Sequence, residues 1–202
     1  MMLTAAPLAA QAPQPLNHDL LRVSATGTVD QIRDLLERGA DPNSEDKVGV
    51  TPLINVAARG SNKSLRLLIE AGARVEEDGR NGCTPLTWAA KNGWEKTIEL
   101  LLDRGADINH RDNGQMTPLM RAAWNGQFVA AEFLIRRGAD VTAVDSNGNT
   151  ALTYALASRS PRIEGALRRM GVPSKVGSQA EAIAKVKGEP FVSCARAVAG
   201  RS

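Results

Sequence analysis

Aromatic residues are scarce, at 3% of the 202-residue chain, with three Trp, three Phe and one Tyr. A core built on rings is therefore excluded, and the packing must rest on Leu, Ile, Val and Ala. Long apolar runs are missing too. No stretch approaches the ~18 consecutive apolar residues of a membrane helix. Histidine and cysteine number two each. Cys83 and Cys194 lie far apart with no C-x-x-C, so spacing suggests neither a zinc site nor a disulfide framework and reads as two unpaired thiols. His18 and His110 have no neighbouring ligands in sequence, and Glu76-Glu77-Asp78 lacks the spaced pattern of a calcium loop. No Gly-rich phosphate loop follows a strand. Acid, base and nucleophile all lack candidates, so no enzyme, cofactor, metal or small-molecule substrate is expected.

What remains is a folded composition, 43% hydrophobic and 23% charged. The net charge of +3 is unevenly spread. Residues 1–158 carry 16 basic and 19 acidic side chains, whereas 159–202 carry 9 and 3. The basic character belongs to the C-terminal end. Residues 1–16 are uncharged and rich in Ala and Pro, resembling the back half of a secretory signal that ends at Leu8-Ala9-Ala10, but without its basic start. Two readings stand: an exported or periplasmic chain with a remnant signal peptide, or a cytoplasmic chain with an Ala/Pro leader.

The dominant feature is a repeat of 33 residues. Thr51-Pro52-Leu53, Thr84-Pro85-Leu86 and Thr117-Pro118-Leu119 are followed by a decayed Thr150-Ala151-Leu152. Gly39, Gly72, Gly105, Gly138 and Gly171 keep the same period, as do Gly27, Gly60, Gly93 and Gly126. Each marker has a mechanical role. Thr accepts a hydrogen bond from an early helix N–H, and Pro fits the first helical position, where its missing donor costs nothing. Small residues such as Ala89-Ala90 and Ala122-Ala123 let helices approach. Gly93 and Gly126 end a short first helix. A second follows, in which Ile98, Leu101 and Leu102 form one buried stripe. The next Gly closes it. Asn81-Gly82, Asn113-Gly114 and Asn147-Gly148 then predict tight, hairpin-like turns.

Residues 84–109 (TPLTWAAKNGWEKTIELLLDRGADIN) and 117–142 closely resemble the ankyrin repeat, whose period and T-P-L-H-x-A signature they share except at the His. That position holds Ile54, Thr87, Met120 and Thr153; in the family the His ties neighbouring loops, so some rigidity between repeats is expected to be lost. The resemblance implies an all-α repeat solenoid of stacked helix–turn–helix units over about 17–174, with repeats at about 17–46, 47–79, 80–112, 113–145 and 146–174. Repeat 1 starts at the helix cap Asn17. Repeat 5 loses its Pro, its internal Gly (Arg159 instead) and much of its stripe, as terminal repeats do. Over 175–202, Ser178 to Glu181 reads as a capping box. Ile183, Val186, Phe191 and Val192 would fold this basic tail over the end of repeat 5.

The resemblance also implies function: a non-enzymatic scaffold (adaptor, inhibitor or assembly factor) that holds a partner protein on the concave face of the first helices, as a monomer with no membrane span. Two residues past each Thr-Pro-Leu lie Asn55, Trp88, Arg121 and Tyr154. One helical turn on lie Ala58 and Arg59, Lys91 and Asn92, and Trp124 and Asn125, on the same faces. Trp, Tyr and Arg dominate binding energetics, which marks this strip as the protein-binding site. Trp88 and Tyr154 stand where the family usually packs a Leu, so packing between repeats is the competing role for both rings. Trp94 begins a second helix and reads as packing. The alternative function is binding of nucleic acid or an anionic surface through the basic tail, which has only Phe191 for stacking.

Overall fold

The computed structural model describes residues 14–79 and 81–172. The leader up to residue 13 and the tail from 173, with its expected capping box and lid, lie outside the described residues. Among those described, ten helices and no strands are found. They form five pairs: α1 (Gln14–Thr26) with α2 (Val29–Glu37), α3 (Pro52–Ala58) with α4 (Asn62–Glu70), α5 (Pro85–Asn92) with α6 (Glu95–Leu102), α7 (Pro118–Trp124) with α8 (Phe128–Arg136), and α9 (Ala151–Ala157) with α10 (Pro161–Arg169). Each first helix packs closely on the next first helix, while the second helices meet their neighbours more sparsely. Tight spacing in one layer and looser spacing in the other curves the stack, with the first helices on the inner side.

The Thr-Pro signature works as its chemistry dictates. Thr51, Thr84, Thr117 and Thr150 each accept the backbone N–H three residues on, at 3.2–3.4 Å, and Pro52, Pro85 and Pro118 open their helices. Repeat 1 differs from expectation. Its helix already begins at Gln14, so Asn17 lies inside it and does not cap it; the Asn17 Oδ1 accepts from the Asp41 N–H at 2.8 Å. The turn between helices needs a left-handed residue, supplied by Gly60, Gly93 and Gly126, and Arg159 keeps that conformation in repeat 5 at φ 55°.

The loops before α3, α5, α7 and α9 are narrow hairpins without strands. Each is closed by two backbone bonds. The N–H of Asp46, Gly79, Asp112 or Asp145 donates to the carbonyl four residues on (Val50, Cys83, Met116, Asn149). The carbonyl of that same first residue accepts the N–H three residues on (Gly49, Gly82, Gln115, Gly148). In three of them the Asp carboxylate also accepts two N–H groups of its own loop (Val48 and Val50, Gly114 and Met116, Asn147 and Asn149). One turn is displaced from expectation. Gln115 (φ 59°), not Gly114, takes the left-handed position that Gly49, Gly82 and Gly148 occupy at the same period. The closing backbone bonds keep one register in all four loops, including the one with Gly79 in the Asp position.

The core runs the length of the stack on aliphatic side chains, with Leu20, Ile32, Leu53, Leu68, Leu86, Ile98, Leu101, Leu119, Leu134, Leu152 and Leu167 all buried. Ile54, Thr87, Met120 and Thr153, at the signature His position, are buried as well. Neighbouring repeats are tied at another point. Asn43, Glu76 and Asn109 accept the backbone N–H groups of Arg74, Asp107 and Asp140 at 2.8–3.0 Å. The stripe of repeat 5 is not lost as expected: α10 buries Ile163, Ala166 and Leu167, as many apolar residues as α8 does.

Candidate protein-interaction face

The residues two past each Thr-Pro-Leu form a buried layer, and each has a dedicated partner. Asn55 donates to Leu21 O and to Ser24 Oγ of repeat 1, at 3.1 and 3.0 Å. Arg121 donates through Nε to Asp112 Oδ2 at 2.9 Å and through Nη2 to the same oxygen. The Tyr154 hydroxyl donates to Asp145 Oδ2. In repeats 4 and 5, then, the loop Asp anchors the side chain nine residues on. Repeat 3 has Gly79 in the Asp position, and its inner-helix residue is Trp88, which needs no anion. Trp88 packs instead with Val50, Ile54 and Cys83 in a small apolar cluster separate from the main core.

A second layer stands on the first. The Lys91 Nζ lies 4.5 Å above the Trp88 ring, a cation–π contact. Burial, with the nearby Arg121 guanidinium adding to it, holds the Lys91 ammonium below the usual lysine pKa. Trp124 stacks on Tyr154 with ring centroids 4.7 Å apart. Asn125 is exposed, and donates to Arg121 O at 2.9 Å. The structure thus brings Trp88, Lys91 and Arg121 together, and Trp124 with Tyr154. It sets Asn55 apart at the junction of repeats 1 and 2. Arg59 and Asn92 are half-buried and donate to carbonyls of the preceding repeat, Gly27 O at 2.6 Å and Ala58 O at 2.7 Å. Burial holds the Arg59 guanidinium below its ordinary pKa.

Chemically, the face offers a desolvated ammonium, the half-buried Trp124 ring and the exposed Asn125 amide. Asp112 is the counter-ion of Arg121, so Lys91 carries the charge available to an incoming carboxylate. His18 and His110 sit in different repeats, and the His110 ring is bonded to Gly82 O at 2.9 Å. Among the described residues no group of three or more His, Cys, Asp or Glu is placed to hold a metal ion. No described helix is long and apolar enough to cross a membrane.

Two features escaped the sequence reading. Asp112 and Asp145 position the face, and the signal was the recurrence of Asp46, Asp112 and Asp145 at multiples of the 33-residue period, with Gly79 at the intervening position. The reading of unpaired thiols is corrected: Cys83 is disulfide-bonded. Trp94, read as packing, is 43% exposed, yet its ring covers Gly60 and its Nε1–H donates to Ala58 O at 2.9 Å.

Family models for ankyrin repeats match residues 20–112, as three copies, and residues 101–155, as many copies. A search of curated proteins returned no match. Proteins built on these repeats generally mediate protein–protein interaction and are generally not enzymes. With paired helices, capped Thr-Pro turns and matches running from residue 20 to residue 155, the chain belongs to the ankyrin-repeat family.

Proposed function

We propose that the chain is a non-enzymatic scaffold (an adaptor, inhibitor or assembly factor) that binds a partner protein on the inner face of repeats 3 to 5. The observation that carries this reading is the two-layer build of that face. Trp88, Arg121 and Tyr154 are immobilised beneath Lys91, Trp124 and Asn125, so the upper side chains are held in place before any partner arrives. Such preorganisation lowers the entropic cost of association. The partner surface that fits is one with a carboxylate for Lys91 and an apolar group for Trp124.

The test is a photo-crosslinking amino acid placed at Asn125 on the inner face and, as control, at Arg104 after α6. Cells expressing each variant are irradiated and the adducts identified. The expected result is a discrete protein adduct from position 125 that is absent from position 104 and is lost with Lys91→Glu. Adducts from 104 alone would move the interface to the outer side.

A further inference from the structure

The first helices α3, α5, α7 and α9 carry no acidic residue, although residues 1–158 hold 19 acidic side chains against 16 basic. Their inner side does carry three cations, Lys91 and Arg121 within helices and Arg59 at the end of α3. Arg121 has its anion in Asp112. Lys91 rests on the Trp88 ring. Arg59 donates to Gly27 O at 2.6 Å and to Ser64 Oγ at 3.4 Å, and its Nε is buried without a hydrogen-bond partner. Among the described residues no carboxylate pairs with Lys91 or Arg59. Both are half-buried. Part of their desolvation has therefore occurred on folding, so an anion brought by a partner gains more from them than from a fully hydrated cation.

Spacing selects the shape of that partner. Ala58, Lys91 and Trp124 hold one position in successive repeats, and Arg59 adjoins Ala58. Cation, cation and ring thus follow one another at about 10 Å, the separation of packed helices. A polyproline II segment has three residues per turn and rises about 3.1 Å per residue, so a side chain returns to the same face every ~9 Å. Its residues i, i+3 and i+6 meet successive repeats. A β-strand alternates faces and puts i and i+3 on opposite sides. An α-helix covers the same distance in about seven residues, with its N–H groups satisfied internally. A polyproline II backbone has no internal hydrogen bonds. Asn92 and Asn125 donate Nδ2–H to Ala58 O and Arg121 O, and each keeps Oδ1 as an acceptor for a partner N–H. Trp124, stacked on Tyr154, is the kind of aromatic shelf on which proline-rich segments dock.

We propose that the partner element is an acidic, proline-bearing segment in polyproline II form, laid across the inner face from repeat 4 to repeat 2. An apolar residue sits on Trp124, and carboxylates three and six residues away meet Lys91 and Arg59. This rests on the inner-face reading above, and adds the shape, register and charge of what binds there.

The test uses the full chain, without reductant, and fluorescein-labelled peptides of sequence Leu-Pro-Pro-Glu-Pro-Pro-Glu and its reverse, titrated by fluorescence anisotropy. One direction should bind. Its affinity should fall roughly tenfold when either Glu becomes Gln, when Leu becomes Ser, or with Lys91→Ala in the protein. Removing one Pro between the two acids should weaken it as much, because the register is lost. Most of these changes lie in the peptide, so the outcome holds even if the Lys91→Ala chain folds poorly. Equal affinity for the respaced peptide would overturn the extended register and leave the inner face as the interface. So would tighter binding of a helical peptide with the same groups seven residues apart. No binding in either direction, alongside a discrete crosslinked adduct from position 125, would overturn the acidic segment and again spare the face. No binding and no adduct would sink both readings.

Discussion

Asp112 is the most constrained residue of the inner face. Its side chain is wholly buried; Oδ1 takes the Gly114 and Met116 N–H groups and Oδ2 takes the Arg121 guanidinium. Removing the cation strands a buried carboxylate, so Arg121→Ala should cost about 3–5 kcal/mol. The double variant Asp112→Asn/Arg121→Gln, with no stranded charge, should cost less. Urea denaturation of the two decides it, and a cheaper single variant would mean that Asp112 is solvated. Backbone strain acts at the same scale. Gln115 and Arg159 are non-glycine residues in left-handed backbone, at positions where the other repeats use Gly. That conformation costs about 1–2 kcal/mol, partly offset by the greater freedom of Gly in the unfolded chain. Gln115→Gly and Arg159→Gly should therefore each stabilise the fold by about 0.5–1 kcal/mol, measured as a rise in Tm.

Between elements, the junction of a first helix with its second is tighter than the junction between repeats. Gly60 (φ 70°) and Gly72 (φ 93°) are both left-handed, but their surroundings differ. A Cβ on Gly72 meets nothing within 4 Å, whereas on Gly60 it would fall 2.6 Å from the Trp94 ring of the next repeat. Gly72→Ala should cost only the conformational strain, about 1–2 kcal/mol. Gly60→Ala should cost a further ~1–3 kcal/mol from overpacking. In a Trp94→Ala background the two costs should converge. Absence of that coupling in a double-mutant cycle would place the indole elsewhere. Trp94 thus acts as a clasp between repeats 2 and 3, also holding the Ala58 carbonyl, while remaining exposed enough to resemble a binding residue.

Over the whole molecule each repeat touches only its neighbours, so stability is close to a sum of repeat and junction contributions. Leu101 is fully buried in the central repeat, and Leu101→Ala should cost about 2–5 kcal/mol through the cavity it leaves. Chemical denaturation measures this. Hydrogen exchange should be slowest in α5 and α7, which have repeats on both sides, and faster in α1 and α10. Equal protection along the stack would mean that it unfolds as one cooperative block, with no weaker ends.

The repeat, the caps and the helix pairs were legible in the sequence because their causes are local. Thr84 bonds a backbone group three residues on, Pro85 opens the helix beside it, and the burial of Ile98 and Leu101, with Leu102 half-buried beside them, follows from helical period. The same periodicity put Lys91, Trp124 and their neighbours on one face. It did not show that Arg121 and Tyr154 are tied down by Asp112 and Asp145, that Gln115 and not Gly114 takes the strained turn, or that Cys83 is bonded. Each of these depends on which groups the folded chain brings together and removes from water. A buried carboxylate such as that of Asp112 acquires its partner only when loop and helix pack together. The sequence by itself determined the repeating unit and its helices. Tertiary structure decided which side chains support the inner face and which present it, because burial and pairing are properties of neighbouring repeats and not of any one of them.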